Sequence, residues 1–414
     1  MNIQMVMHKA KQAFSYYKVH GFFSLLRKAN ATIQNSPTTL FKKTDVLGFY
    51  DFVLDRPYGS TFNGGVNDKT INWFIPPYGR GSGGHLNIFR FVFLLERLGY
   101  ECRIVIVGGQ SKYDLVEAKS QISEWFFPLA APVYDGTEGV PAAFYSVATS
   151  WQTAYYVKNF QTTKHKCYFV QDFEPYFYAV GSESAMAEAT YSFGFSAITA
   201  GSWLAEKLAD EYQAHTFPIS FSYDRDLYRL MHRREPEIKR IFFYARPPTQ
   251  RRAFELGLLT LNEVVKRLPY VKVVFAGWDV SNYEIPFDHL NAGTLDVAKL
   301  PDLYNQCDAA LVLSFTNLSL LPLELMACGV PVVSNRSPCT EWLLNDDNSI
   351  LTKATVEDLT NGICELLTNS ALHASIKAEG IRVANLSSWE EEALKLSKAL
   401  TSISSSETLE NSNA

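Results

Sequence analysis

From residue 70 onward, short apolar runs closed by glycine or proline alternate with longer stretches of helical spacing. Residues 70–76 are apolar and stop at Pro76-Pro77; residues 86–98 carry a helical period that ends at Gly99; residues 102–107 are β-branched and run into Gly108-Gly109. A run that short reads as a buried strand and the periodic stretch as a helix, so the three make a β-α-β unit. Strands at 167–170 and 197–199 and a helix at 202–212 extend the series. Alternation of this kind predicts a parallel sheet covered by helices on both faces.

A charge-rich passage, 222–239, interrupts the pattern, and a second series follows. It reads as strand 240–245, helix 253–268, strands 271–276 and 309–313, a helix near 322–327, strand 330–334, and helices from Val356 and Leu372. The expectation is an α/β chain of two Rossmann-like domains, 70–221 and 222–385, with a cleft between them. A length of 414 residues agrees with two domains.

The flanks differ in character. No acidic residue precedes Asp45, whereas Lys9, Lys11, Lys18, Arg27, Lys28, Lys42 and Lys43 do, so residues 1–69 read as a basic helical arm with an amphipathic stretch at 8–33. Such a helix packs on a domain or rests on anionic lipid, and peripheral contact with the inner membrane face stays open. Residues 386–414 read as a helix followed by a disordered tail, because 402–414 are rich in Ser, Asn and Glu. With a net charge of −5, a nucleic-acid-coating role is not expected. Six scattered cysteines without a CxxC pair, no apolar leader and no long uncharged apolar span point to a cytoplasmic protein with reduced thiols.

Two loops carry candidate chemistry. Gly79-Arg80-Gly81-Ser82-Gly83-Gly84-His85 follows a strand and opens a helix, where glycines let backbone amides approach a phosphate. Its spacing is not GxGxxG, and the next strand ends in Gly108-Gly109-Gln110 rather than an acid, which argues against a dinucleotide fingerprint. The second loop lies in the run from Ser314 to Val333. Here Pro322 suits a first helical turn, Gly329 ends the helix, and the amides of Ser319 and Leu320 sit where an anion is held, with Glu324 in position for ribose hydroxyls.

Around Glu324 and the segment MACGVPVV, the chain resembles the retaining glycosyltransferases of family four, whose fold is GT-B. The family pattern has a further glutamate where this chain has Thr316, beside Asn317. The segment YARPPTQRR resembles the basic pair that holds the donor diphosphate, which implies that role for Arg246 and Arg251, with arginine forks suited to phosphate. Gly277 resembles a strand-end glycine of the donor site, and residues 295–304, Leu295 to Tyr304, resemble the segment near the nucleotide base. Gln171 and Asp172 stand where the family has His-Asp near the donor sugar and acceptor, which implies a part in catalysis; Glu174 and His85 are implied on the acceptor side, and Gly83 and Gly84 on the donor side. With the YARP segment and Thr316, the resemblance narrows to the branch that assembles bacterial rhamnans and S-layer glycans.

The resemblance implies transfer of L-rhamnose from dTDP-β-L-rhamnose to a growing glycan, with retention, no cofactor and no metal. Asp224-Arg225-Asp226 has the form of a metal-binding DxD but lies away from any strand end. Each residue has a plainer role open to it: Glu324 complementing a helix dipole, Arg246 in a surface ion pair, Asp172 and Glu174 as solvated loop acids. An epimerase of the same fold and a non-catalytic glycan-binding subunit are the alternative functions.

Overall fold

The computed structural model describes residues 45–109 and 112–412. The basic arm before Asp45, with its membrane question, lies outside them. Asp45 to Leu54 belong to a compact unit of their own, in which the carboxylate of Asp45 caps the short helix Val46–Phe49 through the Gly48 amide at 2.8 Å.

The second unit begins at Asp55 and contains both α/β series. Its first sheet is formed by β1 (Thr70–Ile75), β2 (Glu101–Ile106), β3 (Val133–Asp135), β4 (Ala143–Ala148), β5 (Thr163–Val170), β6 (Ser196–Ala200) and β7 (Thr216–Ile219). All seven strands are parallel, in the order β3-β2-β1-β4-β5-β6-β7. Every residue of β1 is buried, as expected for a strand covered on both faces. The helices covering this sheet include α1 (Gly83–Arg97), which buries Ile88, Phe91, Val92 and Leu95, α2 (Leu115–Trp125) and α3 (Trp151–Asn159), whose capping box pairs Ser150 with Thr153.

The second sheet has β8 (Arg240–Tyr244), β9 (Lys272–Ala276), β10 (His289–Gly293), β11 (Ala309–Leu311), β12 (Val332–Asn335) and β13 (Ser349–Thr352), again all parallel, in the order β10-β9-β8-β11-β12-β13. The two expected α/β halves are therefore present. In each sheet the winding reverses beside the first strand, between β1 and β4 and between β8 and β11. Loops leaving the carboxyl ends of such strand pairs diverge and leave a crevice, the usual ligand position in open parallel sheets.

The expected disordered tail is corrected. One helix, α4 (Trp389–Ser412), runs through residues 402–412. It returns to the first sheet, burying Trp389, Ala393, Leu396, Leu400 and Ile403 at helical spacing against α1 and β7, and each large side chain so buried contributes about 1.5–3 kcal/mol. Tyr145 donates to the Leu400 carbonyl at 2.7 Å and the Tyr100 hydroxyl meets that of Ser397 at 2.9 Å. A polar composition does not prevent the helix, because the packed turns before it supply a nucleus from which it extends. The six cysteines are free, five of them buried.

Candidate active site

The loops at the crevice of the second sheet carry three arginines. After β8 the chain turns at Arg246, whose carbonyl accepts from Thr249 at 2.8 Å, and passes through a tight turn at Gln250–Arg252. The loop after β11 is tied to that turn: Phe315 donates its amide to the Arg251 carbonyl at 3.0 Å, and Arg252 donates to the Ser314 hydroxyl at 2.7 Å and the Asn317 carbonyl at 3.1 Å. Burial lowers the Arg251 pKa, and the neighbouring charges of Arg252 and Arg246 lower it further, opposed by Asp172. Three arginines gathered at Arg251, with the Asp172 carboxylate beside them, form a site for an anion. Glycine is required beside them at Gly277, where φ is +101° and a Cβ would stand 2.4 Å from the Tyr244 ring.

Asp172, just beyond β5, joins the two halves. Its carboxylate accepts from the Thr316 hydroxyl at 3.0 Å and the Asn317 amide at 2.8 Å, and lies 3.5 Å from Nε of Arg251. The side-chain amide of Asn317 donates to the carbonyls of Gln171 and Ala200 at 3.0 and 2.7 Å. Thr316 and Asn317 are fully buried. The two halves also meet where Trp342 packs on Gly201, at φ +87°, leaving no room for a Cβ.

Several residues given roles by the sequence are held by partners of their own in this geometry. Gln171, expected in catalysis, spends its side chain on the glycine loop, donating to the Gly84 carbonyl at 3.1 Å and accepting from Asn87 at 3.0 Å, so it anchors α1. His85, expected at the acceptor, has both ring nitrogens engaged, by Ser82 at 2.8 Å and the Pro76 carbonyl at 3.3 Å, and burial lowers its pKa. Glu174, expected at the acceptor, is buried at the start of α3, accepting from the Trp151 amide at 2.7 Å; burial pushes its pKa up to about 8. Tyr304, expected at the base, is core, packed edge-on against Phe242. Thr316 and Asn317 are turned into the junction rather than toward an open sugar site.

Other expected positions stay available. Glu324 is partly buried on the helix Leu321–Ala327 and is bonded by the hydroxyls of Tyr228 and Tyr304; burial pushes its pKa up to about 7. Leu295 lies in the loop after β10, and Ser319, Leu320, Gly83 and Gly84 lie at helix starts with accessible surface. Asp224 caps its own turn, and Arg225 donates to the carbonyls of Asn385 and Ser387, so the DxD segment fastens the linker. Three residues escaped the sequence reading. They are Arg252, which orders the 314–317 loop, Asn87, which holds Gln171, and Arg90, stacked between Phe127 and Trp389 at 4.9 and 4.7 Å in reach of Glu324. Arg252 alone carried a signal, as the second member of an arginine doublet.

Comparison with known proteins agrees with this architecture. Two solved structures share the fold: HepE of Anabaena, described in complex with UDP and glucose, at a TM-score of 0.63 and 13% identity over 80% of this chain and 99% of that one, and sucrose-phosphate synthase of Thermosynechococcus elongatus, at 0.61 and 14% over 81% and 99%. The chain has the GT-B fold that these glycosyltransferases share. Residues 99–200 match the N-terminal domain of the WsaF family and residues 239–364 its C-terminal domain, together more than half of the chain, so the chain carries the WsaF domain pair. It is also 33% identical over 351 residues to the O-antigen biosynthesis protein RfbC of Myxococcus xanthus, covering 80% of this chain but only 27% of that protein. Among the described residues no helix is long and apolar enough to cross a membrane.

Proposed function

We propose that the chain transfers a deoxysugar, L-rhamnose from dTDP-β-L-rhamnose, with retention of configuration, onto a growing rhamnose-containing cell-surface glycan. The observation that carries the reading is the cluster of Arg246, Arg251 and Arg252 at the reversal point of the second sheet, facing Asp172 of the first. The match to WsaF domains and the similarity to an O-antigen biosynthesis protein support the class of glycan.

Arg246 and Arg251 clamp the donor diphosphate, with the amides of Ser319 and Leu320 beside it. Gly277 and Leu295 border the base, and Glu324 receives the ribose hydroxyls. As the glycosidic bond to the donor breaks, charge grows on the departing diphosphate, and fixed cations stabilise that state more than the ground state. In this reading the arginines meet the diphosphate charge without a metal ion. The acceptor hydroxyl enters from the first-sheet side and passes its proton to a donor phosphate oxygen on the same face. Asp172 holds Thr316, Asn317 and Arg251 in register, so the donor loop is set against the acceptor half.

The test is incubation of the purified chain with a panel of nucleotide-sugars and a rhamnose-terminated oligosaccharide, with product configuration read by NMR. The expected result is transfer from dTDP-β-L-rhamnose with the anomeric configuration kept. Epimerised donor formed without acceptor, or transfer only from other donors, overturns the proposal.

A further inference from the structure

Beside Arg251, three large aromatic side chains stand in solvent. Tyr176 is 54% exposed, Phe177 38% and Phe315 45%. Single exposed apolar residues are ordinary, but a group gathered at one place marks a contact surface. Arg251 ties this group together. Its guanidinium lies 3.8 Å from the centre of the Phe177 ring, and its carbonyl accepts the Phe315 amide at 3.0 Å. Phe177 and Tyr176 follow Asp172 in the first half, and Phe315 precedes Thr316 in the second, so the two sides of the group flank the contact between Asp172 and Thr316. Tyr176 is braced, its ring 4.6 Å edge-on from that of Phe173 and 5.7 Å from the Lys207 ammonium.

We propose that Tyr176, Phe177 and Phe315 form the platform on which the terminal sugars of the acceptor glycan rest, a reading that builds on the glycosyltransferase function proposed above. A pyranose presents C–H groups on one face, and these pack on the electron-rich face of an aromatic ring; a 6-deoxysugar adds a methyl group to that apolar surface. The division of the rings between the two halves favours a glycan over a lipid surface or a second copy. A platform assembled only when the halves meet suits a substrate that must be held while the donor is clamped. Phe177 has a second task, since its ring stacks on the Arg251 guanidinium at 3.8 Å and holds it in place.

The experiment uses the full chain saturated with dTDP, the methyl glycoside of a rhamnose trisaccharide as probe, and the exposed-site variants Tyr176→Ser and Phe315→Ser. Saturation-transfer NMR reads binding at the sugar methyl protons, and acceptor KM is measured in the transfer assay. Loss of one sugar–aromatic contact weakens trisaccharide binding and raises acceptor KM roughly three- to tenfold, while dTDP affinity stays within about twofold. Unchanged trisaccharide binding in both variants overturns the platform, as does a wild-type chain that binds no trisaccharide. It also falls if the variants lose binding to phosphatidylglycerol vesicles, or lose self-association, while keeping the sugar. Trisaccharide binding that depends on these rings, in a chain that transfers no sugar, leaves the platform standing and removes the transferase reading.

Discussion

Glu174 gives a stability effect whose sign and size follow from its surroundings. Its carboxyl is buried beside Tyr168 and Asp172, and burial pushes its pKa from the ordinary 4.5 up to about 8. The folded chain therefore keeps a proton that the unfolded chain has released at any pH between these values. Stability from this group is fully present below about pH 4.5 and is lost as pH rises toward about 8, with a slope approaching 1.4 kcal/mol per pH unit. Across that window the loss is on the order of 3–5 kcal/mol, a large share of the 5–15 kcal/mol that holds a typical domain. Glu174→Gln replaces the protonated acid by a neutral group of the same shape that still accepts from the Trp151 amide. Urea unfolding of wild type and variant, followed by tryptophan fluorescence at intervals from pH 5 to pH 8, tests this. The variant should be close to wild type at pH 5 and more stable by a few kcal/mol at pH 8. Parallel curves for the two proteins across the range would refute an uncharged, buried Glu174.

Two further outcomes follow from the junction and the donor loop. Thr316→Glu sets a second carboxylate against Asp172 in a fully buried position and should cost about 3–5 kcal/mol of interdomain contact at pH 7; the radius of gyration from X-ray scattering should rise at pH 7 and recover near pH 4, and an unchanged profile contradicts the geometry. Gly277→Ala drives a Cβ into the Tyr244 ring at a left-handed backbone position and should lower stability by roughly 2–4 kcal/mol in urea unfolding, whereas a wild-type midpoint would mean that the ring moves freely.

The fold was legible where the apolar runs were long and closed by glycine or proline. β1, β2, β8 and β9 and the helix Phe254–Arg267 fall within one residue of their expected bounds. The strands Val133–Asp135 and Ser349–Thr352 escaped because three or four residues carry too little periodicity to stand out, and their place is set by pairing with β2 and β12. The arginine cluster was legible because a doublet after a buried strand is a local signal. The roles of Gln171, His85 and Glu174 were not, because each depends on a partner far along the chain: Asn87, Pro76 and Trp151. The sequence around residue 402 looks like a tail until the buried face of Trp389, Leu396 and Leu400 is seen against the first sheet.

The claim on which the rest depends is that the cations at the reversal point of the second sheet hold the donor diphosphate. Calorimetric titration of dTDP into the wild-type chain and into Arg251→Met tests it, since methionine keeps an apolar contact with Phe177 while removing the charge. Loss of a charge-assisted bond to phosphate, worth about 1.5–3 kcal/mol, predicts dTDP binding weakened roughly ten- to a hundredfold. Equal affinity in the two proteins, or no binding by wild type, would contradict the account.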